Sequence, residues 1–187
     1  MSLRGVDMEF IKTSLPGLTL IKPKVHSDAR GFFLETYSEP LFKAAGIDDV
    51  FVQDNHSRSV QRNVIRGLHF QKPPFEQSKL VRVIRGSIFD VAVDIRRESP
   101  TYGQWLGFEL SERNFDMVFI PRGFAHGFCT LEEGTEVVYK VDNVYSRDHD
   151  AGIVWNDPAI GVDWPLNGAE PILSDKDRVL NQLSQNL

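Results

Sequence analysis

Ser87-Ile-Phe-Asp-Val-Ala-Val-Asp-Ile95 alternates with a period of two. In an extended chain Phe89, Val91, Val93 and Ile95 fall on one side, and Ile88, Asp90, Ala92 and Asp94 on the other. The first side is a plain core face. The second mixes apolar with acidic groups, which a core tolerates only when they are compensated or have a task. Working outward, strand-like runs recur at residues 50–55, 64–71, 80–85, 103–110, 116–120, 124–131 and 136–145. Turn chemistry separates them, as at Arg85-Gly86, Glu98-Ser99-Pro100, Pro121-Arg122-Gly123 and Glu132-Glu133-Gly134. Many short strands with a turn every 8–12 residues or so predict a sandwich or barrel.

The flanks fit this reading. Residues 10–23 predict two edge strands around Pro16-Gly17, residues 26–31 a loop, and residues 32–37 a strand. Ser38 and Pro40 mark the start of a short helix over 41–45, stopped by Gly46. Residues 155–171 are rich in proline and glycine and read as irregular. Ser174 then caps a last helix predicted over 175–183.

The chain has 187 residues, which fits one domain spanning 1–187, with residues 1–8 read as a flexible or vector-derived start. Hydrophobic content of 41% and charged content of 25% are ordinary for a globular protein, and a net charge of -5 offers no basic excess for a phosphate backbone. Nucleic acid is therefore not expected as a partner. Cys129 is alone and forms no internal disulfide, and no apolar run approaches the roughly 20 residues that cross a bilayer. The expectation is a cytoplasmic protein without a membrane segment.

Pro121-Arg-Gly-Phe-Ala-His126 resembles the second motif of the cupins, small double-stranded β-barrels that often bind a metal. Their first motif needs His-x-His and a glutamate, whereas residues 67–71 offer His69 and Gln71. A transition-metal site normally takes three or four protein ligands, so no metal is expected. The barrel retains His69, Lys79, Asp90, His126 and Tyr139 as polar groups within apolar strands. Each alone reads equally well as a core residue with its hydrogen bonds met locally, although lysine is seldom buried without a partner or task. As a set they match proton transfer at a carbon beside a carbonyl. A histidine serves as base, a carboxylate fixes its tautomer, a cation faces the developing enolate, and a tyrosine delivers a proton to the opposite face.

A second group suits an anion and a nucleotide. Arg30-Gly31 and Arg66-Gly67 each put a guanidinium beside a glycine, and Gln53-Asp54-Asn55 supplies groups suited to the edge of a base. For isolated residues, ordinary turns and surface arginines explain the same features.

Five stretches together closely resemble the dTDP-4-dehydrorhamnose 3,5-epimerase family. They are Phe51-Val-Gln-Asp-Asn-His-Ser57, Arg66-Gly-Leu-His-Phe-Gln71, Phe89-Asp-Val-Ala-Val-Asp-Ile-Arg96, Ile120-Pro-Arg-Gly-Phe-Ala-His-Gly-Phe128 and Ile153-Val-Trp-Asn-Asp157. The likeness runs from about residue 10 to residue 177. It implies a mainly β, cupin-like jelly-roll barrel with a few short helices, assembled as a homodimer and working without a cofactor. The implied reaction inverts C3 and C5 of dTDP-4-dehydro-6-deoxy-D-glucose, and the site carried over has His69 as base, Asp177 as its support, Tyr139 as acid and Lys79 beside the sugar carbonyl. Arg30, Glu35, Gln53, Asp54, Asn55, Arg66, Asp90, His126, Asp150 and Lys176 fall on substrate-binding positions. Asp150 stands where a glutamate is common, and Val144 where some members stack an aromatic on the thymine. A relative inverting only one carbon would carry the same acid–base groups, and a sugar-nucleotide-binding cupin without activity is the alternative of another class.

Overall fold

The computed structural model describes residues 8–185. Its strands in chain order are β1 (Met8–Lys12), β2 (Thr19–Pro23), β3 (His26–Asp28), β4 (Gly31–Phe33), β5 (Gln53–Ser59), β6 (Ile65–Gln71) and β7 (Lys79–Arg85). They continue with β8 (Ser87–Asp94), β9 (Trp105–Ser111), β10 (Met117–Ile120), β11 (Phe124–Thr130), β12 (Thr135–Val141) and β13 (Asp150–Gly152). Helix α1 (Glu39–Ala44) precedes β5, and α2 (Asp175–Arg178) lies near the end. Two antiparallel sheets make the jelly roll: β1-β2-β10-β7-β12-β5 and β13-β6-β11-β8-β9.

The alternation of β8 has a consequence that its composition conceals, because both faces are covered. Ile88 and Ala92 pack between the sheets against Val81, Val83, Val118, Ile120 and Val137. Val91 and Val93 lie on the outer side of the five-stranded sheet, beneath Ile153, Ile160, Trp164 and Leu183. The irregular C-terminal segment is therefore the lid of a second core. Asp90 and Asp94 face the space between the sheets with no exposure; Asp94 is compensated at both oxygens and Asp90 at Oδ1, while the buried Oδ2 of Asp90 has no hydrogen-bond partner. Asp90 Oδ1 lies 2.7 Å from His126 Nε2, while Asp94 accepts from Arg96, Ser99 and Thr101. A third cluster on the outer side of the six-stranded sheet joins Met8, Ile21, Leu80, Met117 and Phe119 to Phe42 of α1.

Several boundaries differ from those predicted. Met8, assigned to a flexible start, is buried in β1; residues 1–7 of that start lie outside the described residues. The loop at 26–31 and the start of the strand at 32–37 are instead one short hairpin, β3–β4, which ends at Phe33; residues 34–37 form no strand. The predicted strand 136–145 ends at Val141, after which Asp142 turns to accept from the Ser78 amide and Arg122. The helix predicted over 175–183 stops at Arg178. The chain there is drawn into a bridge between Ile153 and Asn181, and the Leu183 amide donates to buried Asp157. Tertiary hydrogen bonds outcompete a helix that would have only a weak apolar face.

Candidate active site

Arg66 and His69 lie three positions apart on β6, and strict alternation would send them to opposite faces. They share one. Against β11, His126 pairs with His69 but Phe128 pairs with Arg66, so β6 advances three residues while β11 advances two. The slip turns both side chains inward and leaves Ile65 and Leu68 for the outer core. Gly67 makes it possible: its φ is 137°, and a Cβ there would lie 2.4 Å from the Cα of Gly127.

Two cavities, of about 260 and 220 Å³, occupy this part of the barrel and share His69, Lys79, Tyr139 and Lys176. The first adds Ser57, Arg66, His126, Ser174 and Asp177, and the second adds Gln53, Asn55, Tyr145 and Asp150. A larger cavity of about 410 Å³ lies beside Arg96, Arg97 and Leu183 and lacks these acid–base groups.

His69 Nε2 lies 2.5 Å from Asp177 Oδ1. A carboxylate accepts there, so Nε2 carries the proton, and in the neutral ring Nδ1 is the nitrogen with the lone pair. Burial pushes Asp177 up, but the hydrogen bond and charge of His69, the Ser174 hydroxyl and Lys176 outweigh it, and the carboxyl stays below its ordinary range. Lys79, the first residue of β7, is 9% exposed, and its ammonium donates to the His69 carbonyl at 3.4 Å. Burial pushes its pKa down to about 8, against the pull of Asp90 and Asp150. Burial likewise holds His126 down, opposed by Asp90, and holds Tyr139 up, opposed by Arg66. His69 and His126 sit on one sheet and Tyr139 and Lys79 on the other. Imidazole and phenol therefore face the space between the sheets from opposite sides.

Most of the expected residues converge here. His69, Lys79, Tyr139, Asp177, Arg66, His126, Gln53, Asn55, Asp150 and Lys176 all line the two cavities. Asp90 lies behind His126 and acts on the cavity through it. Three of the expected residues lie outside these two cavities. Asp54 points out of the barrel and pairs with Lys140, since Gln53 and Asn55 face inward and the residue between them cannot. Arg30 is exposed in the β3–β4 turn, where it binds Asp28, and Glu35 is exposed just beyond β4. Val144 itself is exposed. Tyr145 lines the cavity, and its hydroxyl donates to Asp150 Oδ2 at 3.1 Å. Reading 136–145 as one strand hid this, because alternation has no meaning beyond Val141. Ser174 was recognised as a cap, but its hydroxyl also donates to Asp177 Oδ2 at 2.9 Å. Among the described residues no cluster of three or more His, Cys, Asp or Glu is arranged to hold a metal ion.

Fold and site together define a jelly-roll protein whose cleft gathers groups suited to moving protons beside a carbonyl. The model of the dTDP-4-dehydrorhamnose 3,5-epimerase family matches residues 12–185. The chain belongs to that family. It is 52% identical over 181 residues to the dTDP-4-dehydrorhamnose 3,5-epimerase of Methanothermobacter thermautotrophicus, covering 96% of this chain and 97% of the relative. Among solved structures, that of the Bacillus anthracis dTDP-4-dehydrorhamnose 3,5-epimerase with TDP and PPi bound superposes with a TM-score of 0.91 at 48% identity, covering 94% of this chain and 99% of that one. The dTDP-6-deoxy-D-glucose-3,5-epimerase of Legionella pneumophila in complex with dTDP-4-keto-L-rhamnose gives 0.90 at 45%, covering 95% and 93%.

Proposed function

We infer that this chain inverts C3 and C5 of dTDP-4-dehydro-6-deoxy-D-glucose to give dTDP-4-dehydro-L-rhamnose, with His69 as base, Lys79 at the ketone oxygen and Tyr139 as acid. The observation that carries the assignment of roles is the His69–Asp177 pair at 2.5 Å in the same cavity as Lys79, with Tyr139 on the facing sheet. C3 and C5 flank the same ketone, so one cation at its oxygen stabilises both enolates in turn. Nδ1 of His69 takes each proton. Asp177 holds the imidazolium that results, and the Tyr139 hydroxyl returns a proton to the other face. The raised pKa of Tyr139 keeps it protonated near neutrality, as a donor must be.

Arg66 stands beside the sugar end as a clamp for the diphosphate, while Gln53, Asn55 and Tyr145 line the part of the cleft that would take the base. The protein acts as a homodimer in this reading. The β3–β4 hairpin exposes Phe32 at 60% and Phe33 at 66%, next to Arg30, and suits insertion into a partner barrel. Arg30 and Glu35 would then bind substrate across the interface. The single buried thiol, Cys129, fits a reducing cytoplasm, and no described helix is long and apolar enough to cross a membrane.

Incubation with the 4-keto sugar nucleotide in heavy water tests the reaction. Deuterium appears at both C3 and C5, and the product has inverted configuration at each. Label at one carbon alone would mean a single epimerisation, and label at neither would refute the proposal.

A further inference from the structure

The His69–Asp177 pair rests on a helix of four residues, too short to hold its own shape. What fixes the carboxylate is Ser174. It is the N-cap of α2, and Asp177 is the third helical residue after it. The Asp177 amide donates to Ser174 Oγ at 3.1 Å, and Ser174 Oγ donates to Asp177 Oδ2 at 2.9 Å. With a lone pair taken by the amide, the single hydroxyl proton is directed at the carboxylate. The two bonds close a ring that sets the rotation of the Asp177 side chain and leaves only Oδ1 for the imidazole. Asp177 is 3% exposed, so water is poorly placed to replace the hydroxyl. The neighbouring ammonium of Lys176 is engaged by Asp150.

We propose that Ser174 is a positioning residue for the epimerisation: its hydroxyl orients Asp177, and through Asp177 aims Nδ1 of His69 at the substrate. The inference rests on the assignment of His69 as base. Other charged or titratable groups around the pair are Arg66 from β6, Lys79 from β7, His126 from β11, Tyr139 from β12 and Lys176 from α2 itself, and none of them supplies the second contact to the carboxylate. An ordinary helix cap would need only the bond to the amide. The second bond, from the hydroxyl to the catalytic pair, is what gives this cap a role in turnover.

The test compares Ser174→Ala, Ser174→Gly and Ser174→Thr with the parent, using dTDP-4-dehydro-6-deoxy-D-glucose as substrate. Alanine removes both bonds, and glycine, which an N-cap position tolerates well, guards against a failure to fold. In both variants kcat falls about ten- to a hundredfold, the scale of a misplaced catalytic group. KM stays within about twofold, because the sugar-nucleotide contacts remain. The acid limb of the kcat/KM profile moves as well, since the carboxylate that faces the imidazole has lost a hydrogen bond. Threonine, which carries the same hydroxyl, restores kcat and the limb. An unchanged kcat and limb in the alanine and glycine variants, a loss carried by KM, or a failure of threonine to rescue would each overturn the role of Ser174. His69→Ala, assayed alongside, separates the two readings. Exchange that survives there overturns the base assignment and this inference with it. Exchange lost there but intact in Ser174→Ala overturns the positioning role alone.

Discussion

Lys79→Met should yield a protein that is more stable and almost inactive. The folded chain holds this ammonium in a buried position that pushes its pKa from 10.5 to about 8. Below pH 8 both folded and unfolded chains keep the proton, and that depression costs the fold about 3 kcal/mol. As pH rises from about 8 to 10.5 the folded chain has already released a proton that the unfolded chain still binds, so the cost is relieved across that window. Methionine has similar length and no charge, and Asp90 keeps its bond to His126 at 2.7 Å when the cation is gone. At pH 7 the variant should gain about 3 kcal/mol, a rise in Tm of about 6–12 °C for a chain of this size. The gap should close as pH approaches 10.5. Loss of the group facing the enolate should lower kcat by a factor of about 100–1000. Thermal unfolding followed by circular dichroism at pH 7 and pH 10, together with deuterium exchange at C3 and C5, measures both effects. A variant that melts at or below the parent temperature at pH 7 would refute the account of a costly buried cation. One that exchanges at the parent rate would refute its catalytic role.

The same pKa predicts that parent activity declines above about pH 8, as the Lys79 ammonium loses its proton; a pH–rate profile that stays flat to pH 9.5 would contradict this. Tyr139→Phe should keep solvent exchange near the parent rate but lower net inversion about a hundredfold, because base and enolate stabiliser remain; proton NMR in heavy water separates the two rates. For Asp94, burial raises the pKa but hydrogen bonds from Arg96, Ser99 and Thr101 bring it down to about 2. Its contribution of about 2 kcal/mol is present above the ordinary carboxylate pKa and is lost as pH falls towards about 2. Asp94→Asn should therefore be the weaker protein in urea at pH 6, with the difference shrinking by pH 2.5. Gly67→Ala forces a Cβ against the Gly127 backbone at a positive φ and should cost about 3 kcal/mol or more, read as a lower urea midpoint with unchanged slope.

The strands whose two faces differ in chemistry were legible from residue order. Residues 87–95 announced a strand with acidic groups on one side, and the turns spaced the rest of the barrel around it. The resemblance also pointed to the proposed acid–base residues, and His69, Lys79, Tyr139 and Asp177 do line one cavity. Alternation also held information against the prediction for Asp54, since a strand cannot turn Gln53, Asp54 and Asn55 all to one side. Where local periodicity lapses, the sequence was mute. The slip that brings Arg66 and His69 to one face depends on contact between Gly67 and Gly127, 60 positions apart. The end of β12 at Val141, which frees Tyr145 to line the cleft, is set by Asp142 binding the Ser78 amide and Arg122.

By itself the sequence determined a β barrel and the kinds of group available for proton transfer, because strand period and side-chain chemistry are local properties. Only the tertiary structure decided which of those groups meet. It set His69 and Tyr139 on opposing sheets, buried Lys79 deeply enough to bring its pKa down to about 8, and closed Ser174 onto Asp177. Distances between strands and exclusion of water arise from packing the whole chain, and no stretch of it carries them alone.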